Sequence, residues 1–423
     1  MKWPLLLLLA TLPLQWFVVA GPLRLHIVVM VAFLGLSLVT YRARVFLPVL
    51  RLTSLFVVAN CALNVVWLAA AAYHGLSPRQ PVQQLAYLGV FVAVGTVVHR
   101  GLTLDRDRWI DILRWSALVV SIALIGGLSV SMALNDVNAA TVFARTIAAA
   151  DPEILQKELY RAAFTGFGFE EGTARGNLRH EVFGAVLVAM TMSAACADVR
   201  PFRSRRASRL YLVSMALATA LILMSLSRSV IIALAVWPLL AVLRAVLATR
   251  VSPRLVGGAL LGAGATVLLM LTGTLTVLWV RFTQETGSYT ARDNLLERAF
   301  ENIGANAVMG GVATASASSH NFVLDSWLRA GIFAAVAATV ITVLLLGLFL
   351  SLAGTLHLEP AWMLPVAVMF ALPLVRIFTA GGGLIPPVSW VGLGLAAGFL
   401  AYRRARVRAD APARISSAAD RAP

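Results

Sequence analysis

Apolar runs close to twenty residues long recur along the whole chain, separated by short polar breaks. That rhythm predicts helices that cross a bilayer, because about twenty residues of helix cover roughly 30 Å of hydrocarbon. Twelve such runs can be marked, near 4–20, 24–40, 52–73, 84–98, 110–134, 182–197, 210–226, 230–247, 255–279, 331–353, 361–379 and 388–402. Inside lipid each backbone N–H and C=O must be satisfied within its own segment, so helices are the expected spanning form. Strand-like alternation is absent, which argues against an outer-membrane barrel. The expected fold is all-α, a polytopic membrane protein of about twelve transmembrane helices over residues 1–404.

Most connections are short, so sequence neighbours are expected to pack as antiparallel pairs. Two stretches break this rule. Residues 135–181 and 281–330 are each near fifty residues and polar, and loops of that length usually carry function or are disordered. The first contains an acidic, helix-like stretch from Asp151 to Arg161, with Asp151 and Pro152 placed as N-cap and first-turn residue. The second contains Ala291 to Ile303, where Leu295, Leu296, Ala299, Phe300 and Ile303 recur at helical spacing. A short amphipathic helix lying over the membrane is expected there. Residues 405–423, rich in Arg, Ala, Asp and Ser, are expected to be a disordered basic cytoplasmic tail. The first 21 residues share features with a signal peptide, but the next apolar run begins almost at once, and we take them as the first span.

Composition agrees with the pattern. Of 423 residues 60% are hydrophobic and only 13% charged, with a mean hydropathy of +0.84; soluble domains carry about a quarter charged residues. The net charge of +16 raises the question of a nucleic-acid partner, and its placement answers it. With the N-terminus inside, the cytoplasmic segments hold 22 of the 35 Lys and Arg but 7 of the 19 Asp and Glu. Arg200, Arg203, Arg205, Arg206 and Arg209, together with Arg403, Arg404, Arg406 and Arg408, drive the asymmetry. This positive-inside pattern predicts cytoplasmic termini and puts both large loops on the periplasmic side of an inner membrane. The charge reports orientation among membrane lipids and gives no support to a nucleic-acid partner. Cys61 and Cys196 both fall in apolar runs and are expected to be packing residues.

Outward-facing arginines stand out against that background. Arg175 and Arg179 precede the sixth run, Arg228 sits in the turn between the seventh and eighth, and Arg281, Arg292 and Arg298 lie in the second large loop. Arg376 lies about one turn below the outer end of the eleventh run. A guanidinium offers phosphate a planar fork of donors, and a diphosphate can engage several at once. The plainer reading of each is snorkelling or contact with lipid headgroups. His320, in Ser318-Ser-His-Asn-Phe-Val-Leu324, is the sharpest candidate base, since a neutral imidazole accepts a proton from an attacking hydroxyl near neutral pH. The plainer reading is a solvated loop residue. Asn321 is placed to orient it or to bind sugar hydroxyls. His180, beside Glu181, is the rival base. No Asp-x-Asp pair lies in an outer loop, and no P-loop or Gly-x-Ser-x-Gly elbow is present. No metal or cofactor is therefore expected, and the donor must arrive already activated.

Three stretches resemble the O-antigen ligase and polymerase superfamily of integral-membrane glycosyltransferases of the GT-C type. They are Leu226-Ser-Arg-Ser229; Tyr289-Thr-Ala-Arg-Asp-Asn-Leu-Leu-Glu-Arg-Ala-Phe-Glu-Asn-Ile303 followed by Val308-Met-Gly-Gly311; and Ser319-His-Asn-Phe-Val-Leu324 running to Gly331-Ile332. With Arg175-Gly176 they cover roughly residues 170–350. The resemblance implies metal-free transfer of a glycan from undecaprenyl diphosphate at the periplasmic face, with inversion at the anomeric carbon. It implies that Arg228 and Arg292 bind the diphosphate and that His320 acts on the acceptor hydroxyl. Arg175 and Arg179 become secondary diphosphate or glycan contacts. The family's usual Pro before its Gly-x-Gly is missing here, and the histidine loop is short. The acceptor is then lipid A–core oligosaccharide for a ligase, or a second lipid-linked glycan for an O-antigen or exopolysaccharide polymerase. Arg161 and Gly172, with ten residues between them, match a spacing proposed for polymerases. A transporter of lipid-linked oligosaccharide is the alternative of another class. Transporters usually show midplane charges or paired broken spans, and here the ionisable residues gather at one surface.

Overall fold

The computed structural model describes residues 1–20, 23–161, 175–202, 204–248, 270–271, 273–283, 287–312, 319, 321–379, 384, 386 and 387–419. It gives all their side chains except those of 156, 160, 161, 175–179, 287–293 and 410–419. The architecture is all-α. In chain order come α1 (Lys2–Thr11), the strand pair β1 (Val18–Ala20) and β2 (Leu23–Arg24), α2 (Leu25–Thr40), α3 (Leu47–Tyr73), α4 (Arg79–Leu104), α5 (Arg106–Leu113) and α6 (Ser116–Leu134). Next are α7 (Ala139–Ala149), α8 (Pro152–Ile154) running into a π-helical stretch Leu155–Arg161, α9 (Arg175–Val199), α10 (Arg205–Met224) and α11 (Arg228–Leu247). The last are α12 (Thr274–Thr283), α13 (Gly287–Ala305), α14 (Phe322–Thr355), α15 (Met363–Val368), α16 (Ala371–Thr379) and α17 (Pro387–Ala419).

Among the described residues seven helices are long and apolar enough to cross a membrane, where the sequence pattern marks twelve runs. The differences have local causes. The run 4–20 is helical only to Thr11, then makes a single 3-10 turn at Leu12–Leu14 around Pro13 and ends in β1. Proline supplies no N–H to a continuing helix. The run 361–379 is split into α15 and α16, with Pro365 and Pro373 each in a first turn. The run 255–279 lies mostly outside the described residues. The run 331–353 begins earlier than expected, at Phe322, and kinks at Ala330 and Gly331. α17 continues to Ala419, through the stretch where composition predicts a disordered tail.

Packing follows small residues, as it must where lipid gives no hydrophobic drive between helices. A Cβ at Gly398 would stand 2.7 Å from the Gly95 carbonyl oxygen, and one at Gly394 would stand 2.8 Å from that of Phe91. Only glycine lets α17 lie this close on α4. α9 and α4 are the most enclosed of the long apolar helices, and α10 and α11 turn Leu212, Val213, Leu239 and Val246 outward. Both cysteines are free, with Cys196 buried.

Charged contacts between elements tie the connections together at one end of the bundle, hereafter the Arg403 end. Asp111 in α5 binds Arg114 at 2.6 Å and Arg200 at 3.0 Å. Arg114 also lies 4.5 Å above the Phe202 ring. Arg403 closes both arms of its fork on the Glu359 carboxylate. Arg244 donates to the Glu359 carbonyl at 2.8 Å. These are segments that the charge pattern groups on one side.

Candidate functional site

At the opposite end, the Arg376 end, helix geometry brings a different set of groups to one level. α9 and α16 meet at Gly184, where a Cβ would stand 2.9 Å from Leu372 Cδ2. Glu181 is three residues before Gly184, and Arg376 is four after Leu372. Residues three or four apart share a helix face, so Glu181 and Arg376 lie on the faces that meet at Gly184 and Leu372. Arg376 is only 3% exposed, and its Nε and Nη1 have no hydrogen-bond partner among the described residues. Glu181 is partly buried and acts on Arg376 and Arg24 through space, with no hydrogen bond or ion pair among the described residues. Tyr87, buried on α4, accepts a hydrogen bond from Gln83 and lies within electrostatic reach of Glu181, Arg24 and Arg79. One turn away Trp390 donates to Gln84 at 3.1 Å, fixing α17 to α4 at this level.

The turn between α10 and α11 adjoins this group. Leu226 adopts a φ of +50°, a left-handed backbone that costs a side-chain-bearing residue roughly 1–2 kcal/mol. Such strain persists where surrounding contacts hold it. Here Ser225 and Ser227 are fully buried, and Ser227 Oγ meets His180 Nδ1. Arg228, the first residue of α11, donates from Nε (3.0 Å) and Nη2 (2.5 Å) to the Arg281 carbonyl. Arg281 Nε donates back to the Leu226 carbonyl at 3.4 Å. The Leu226-Ser-Arg-Ser229 motif is thereby knotted to α9 through His180 and to α12 through Arg281. A basic side chain at the positive end of a helix adds to the local field, which favours an anion here.

The second large loop forms the helix its spacing predicts, longer at both ends. α13 buries Ala299 and Ile303 against Leu328, while Phe300 points outward at 59% exposure instead of joining that face. The glycines of Val308-Met-Gly-Gly311 and Gly331 interlock. Gly331 has a φ of +75°, and a Cβ there would sit 1.8 Å from the Val308 carbonyl oxygen. Gly311 N–H donates to the Arg329 carbonyl at 3.0 Å, and the His74 imidazole donates to that of Met309 at 3.1 Å. Arg329 lies 4.8 Å over the Trp67 ring. In the first large loop Asp151 caps α8, accepting from the Glu153 N–H at 2.8 Å, and an unforeseen helix, α7, is capped by Asn138.

Of the sequence candidates, Arg228, Arg376 and His180 come to the same end of the bundle. His320 lies outside the described residues. So do the side chains of Arg175, Arg179 and Arg292, whose backbones belong to α9 and α13. Both neighbours of His320 are held. Ser319 donates from N–H and Oγ to Asp325 at 2.7 and 2.8 Å. Asn321 takes a role the sequence did not suggest: its side-chain oxygen accepts from the N–H groups of Val323 (3.0 Å) and Leu324 (3.3 Å), so it is the N-cap of α14. Arg298 is exposed on α13. Glu181, Arg24 and Tyr87 were not singled out by sequence. The available signal was that Glu181 and Arg24 each stand at the head of an apolar run, where a charge is costly.

The chain matches no family model and no curated protein. What the Arg376 end can do follows from its chemistry. A buried guanidinium with empty donor positions attracts oxygen acceptors strongly in a low dielectric. Beside it stands a carboxylate able to accept hydroxyl donors, and a His–Ser pair able to pass a proton.

Proposed function

We propose that the chain is a glycosyltransferase of the O-antigen ligase type. It moves a glycan from undecaprenyl diphosphate to lipid A–core oligosaccharide at the periplasmic face of a bacterial inner membrane. The observation that carries this reading is Arg376, buried with two unfilled donors at the same end of the bundle as Arg228 and Arg281. A lipid-linked diphosphate presents oxyanions at the membrane surface, where these forks would meet it. In this mechanism His320 takes the proton from an acceptor hydroxyl, the oxygen attacks the anomeric carbon, and the bond from that carbon to the phosphate oxygen breaks. The diphosphate leaves on its lipid, its charge stabilised by the arginines.

The test is His320→Ala in a strain whose only copy is the variant. The expected outcome is loss of O-antigen-capped lipopolysaccharide with normal accumulation of the protein in the membrane. Capping at the wild-type level would remove His320 from the mechanism. Deleting the gene separates the two acceptors. Uncapped cores with long undecaprenyl-linked chains mean a ligase, and cores capped with single units mean a polymerase.

A further inference from the structure

Glu181 and Arg376 lie within electrostatic reach of each other, yet no ion pair joins them. Their helices touch where Gly184 faces the Leu372 side chain, and both charged groups lie about one turn from that contact. A buried donor set that is costly to leave unmet thus stands near a partly buried carboxylate with no hydrogen bond among the described residues. A simple anion would satisfy Arg376 but be repelled by Glu181, and a cation would do the reverse. A hydroxylated ring satisfies both, because each hydroxyl donates and accepts. Chain adjacency says which ring. His180 meets Ser227, so Glu181 and Arg228 each follow directly on one partner of that contact.

We propose that Glu181 and Arg376, with Arg24 and Tyr87 beside them, form the subsite for the donor's first sugar, the one bonded to the diphosphate. Glu181 accepts hydrogen bonds from its hydroxyls, and Arg376 donates to its oxygens. This rests on the glycan-transfer reading of the same end of the bundle and adds a specificity determinant to it.

The experiment measures binding of two lipids to the purified full chain in nanodiscs: undecaprenyl diphosphate, and undecaprenyl diphosphate carrying one N-acetylhexosamine. Wild type should hold the glycosylated lipid about tenfold more tightly, as expected for one hydrogen bond to a charged group. In Glu181→Gln the ratio should fall to about one. An unchanged ratio in that variant overturns the proposal, as does a wild type that binds both lipids equally; in either case the diphosphate reading stands. Should neither lipid bind wild type, the glycan-transfer reading falls and the subsite with it. Glu181→Asp, which keeps the charge and shortens the reach, guards against a variant that does not fold. It should lower the ratio at an unchanged melting temperature, and an unaltered ratio there also overturns the proposal.

Discussion

At each end of this bundle a glutamate lies near an arginine, with one of the two buried, and the two pairs are finished differently. Glu359 and Arg403 are closed, with both arms of the guanidinium on one carboxylate and Arg244 on the neighbouring carbonyl. Glu181 and Arg376 form no ion pair, and two nitrogens of Arg376 go unmet among the described residues. Burying charge costs several kcal/mol per ion, which contact at good geometry offsets. The closed pair is therefore explained by fold alone. Buried Arg376 carries that penalty without the offset, and on the proposed reading a ligand supplies the missing contacts. Under that reading, one end stays as it is and the other receives a ligand.

The largest effect expected from this contrast is at Arg376. Arg376→Met replaces an unmet buried charge with an apolar side chain of similar length. Transfer should fall about 10²–10³-fold, the usual loss when one preorganised donor to a developing charge is removed. The purified protein should melt no lower than wild type, because an uncompensated charge has been taken out. A melting temperature several degrees down, matching the loss of activity, would make Arg376 a structural residue and erase the contrast.

Gly331→Ala tests the joint that holds the second loop against the Arg376 end. A side chain there must adopt a left-handed backbone, costing about 1–2 kcal/mol, and its Cβ overlaps the Val308 carbonyl oxygen. Together these should destabilise the chain by about 3 kcal/mol, read as the denaturation midpoint in detergent. Transfer should be lost in proportion to the unfolded fraction. Loss of transfer with stability unchanged would instead make the kink part of the site.

How far the sequence carried this picture depends on the kind of signal. Helical class, the Asp151 cap and the α13 helix were legible, because each is written in local spacing. Twelve uninterrupted runs were not borne out. Hydropathy averages over a window and so passes across Pro13, and across the Ala330–Gly331 kink, whose backbone is set by distant Val308. The neighbour of Arg376 was invisible for a related reason: Glu181 lies 195 positions away, and only tertiary packing brings the two within electrostatic reach. Asn321 was legible as a polar residue but not as a cap, since its position beside His320 suggested chemistry first.

At the closed end, Glu359→Gln should cost about 2 kcal/mol. Breaking a buried pair costs roughly 3–5 kcal/mol, and Arg403, with its side chain 38% exposed, recovers part of that in water. Activity per folded molecule should stay at the wild-type level, because among the described residues nothing at the Arg376 end is bonded to Glu359. A change in rate at constant folded amount would mean that the two ends communicate, which the contrast denies.

The smallest effect is also at the Arg376 end and asks which of its polar groups belong to the fold. Asn321 spends its side-chain oxygen on two orphan N–H groups at the start of α14. Asn321→Ala should therefore cost about 1 kcal/mol, the ordinary worth of an N-cap. Ser and Asp cap helices nearly as well as Asn, so Asn321→Ser and Asn321→Asp should restore both stability and transfer. A sugar-binding amide behaves otherwise, since neither substitute carries its NH₂ donors. If Asn321→Ser regains the melting temperature while transfer stays low, the residue serves both purposes. Rescue of both together leaves it a cap, and narrows the groups awaiting a ligand to Glu181 and Arg376.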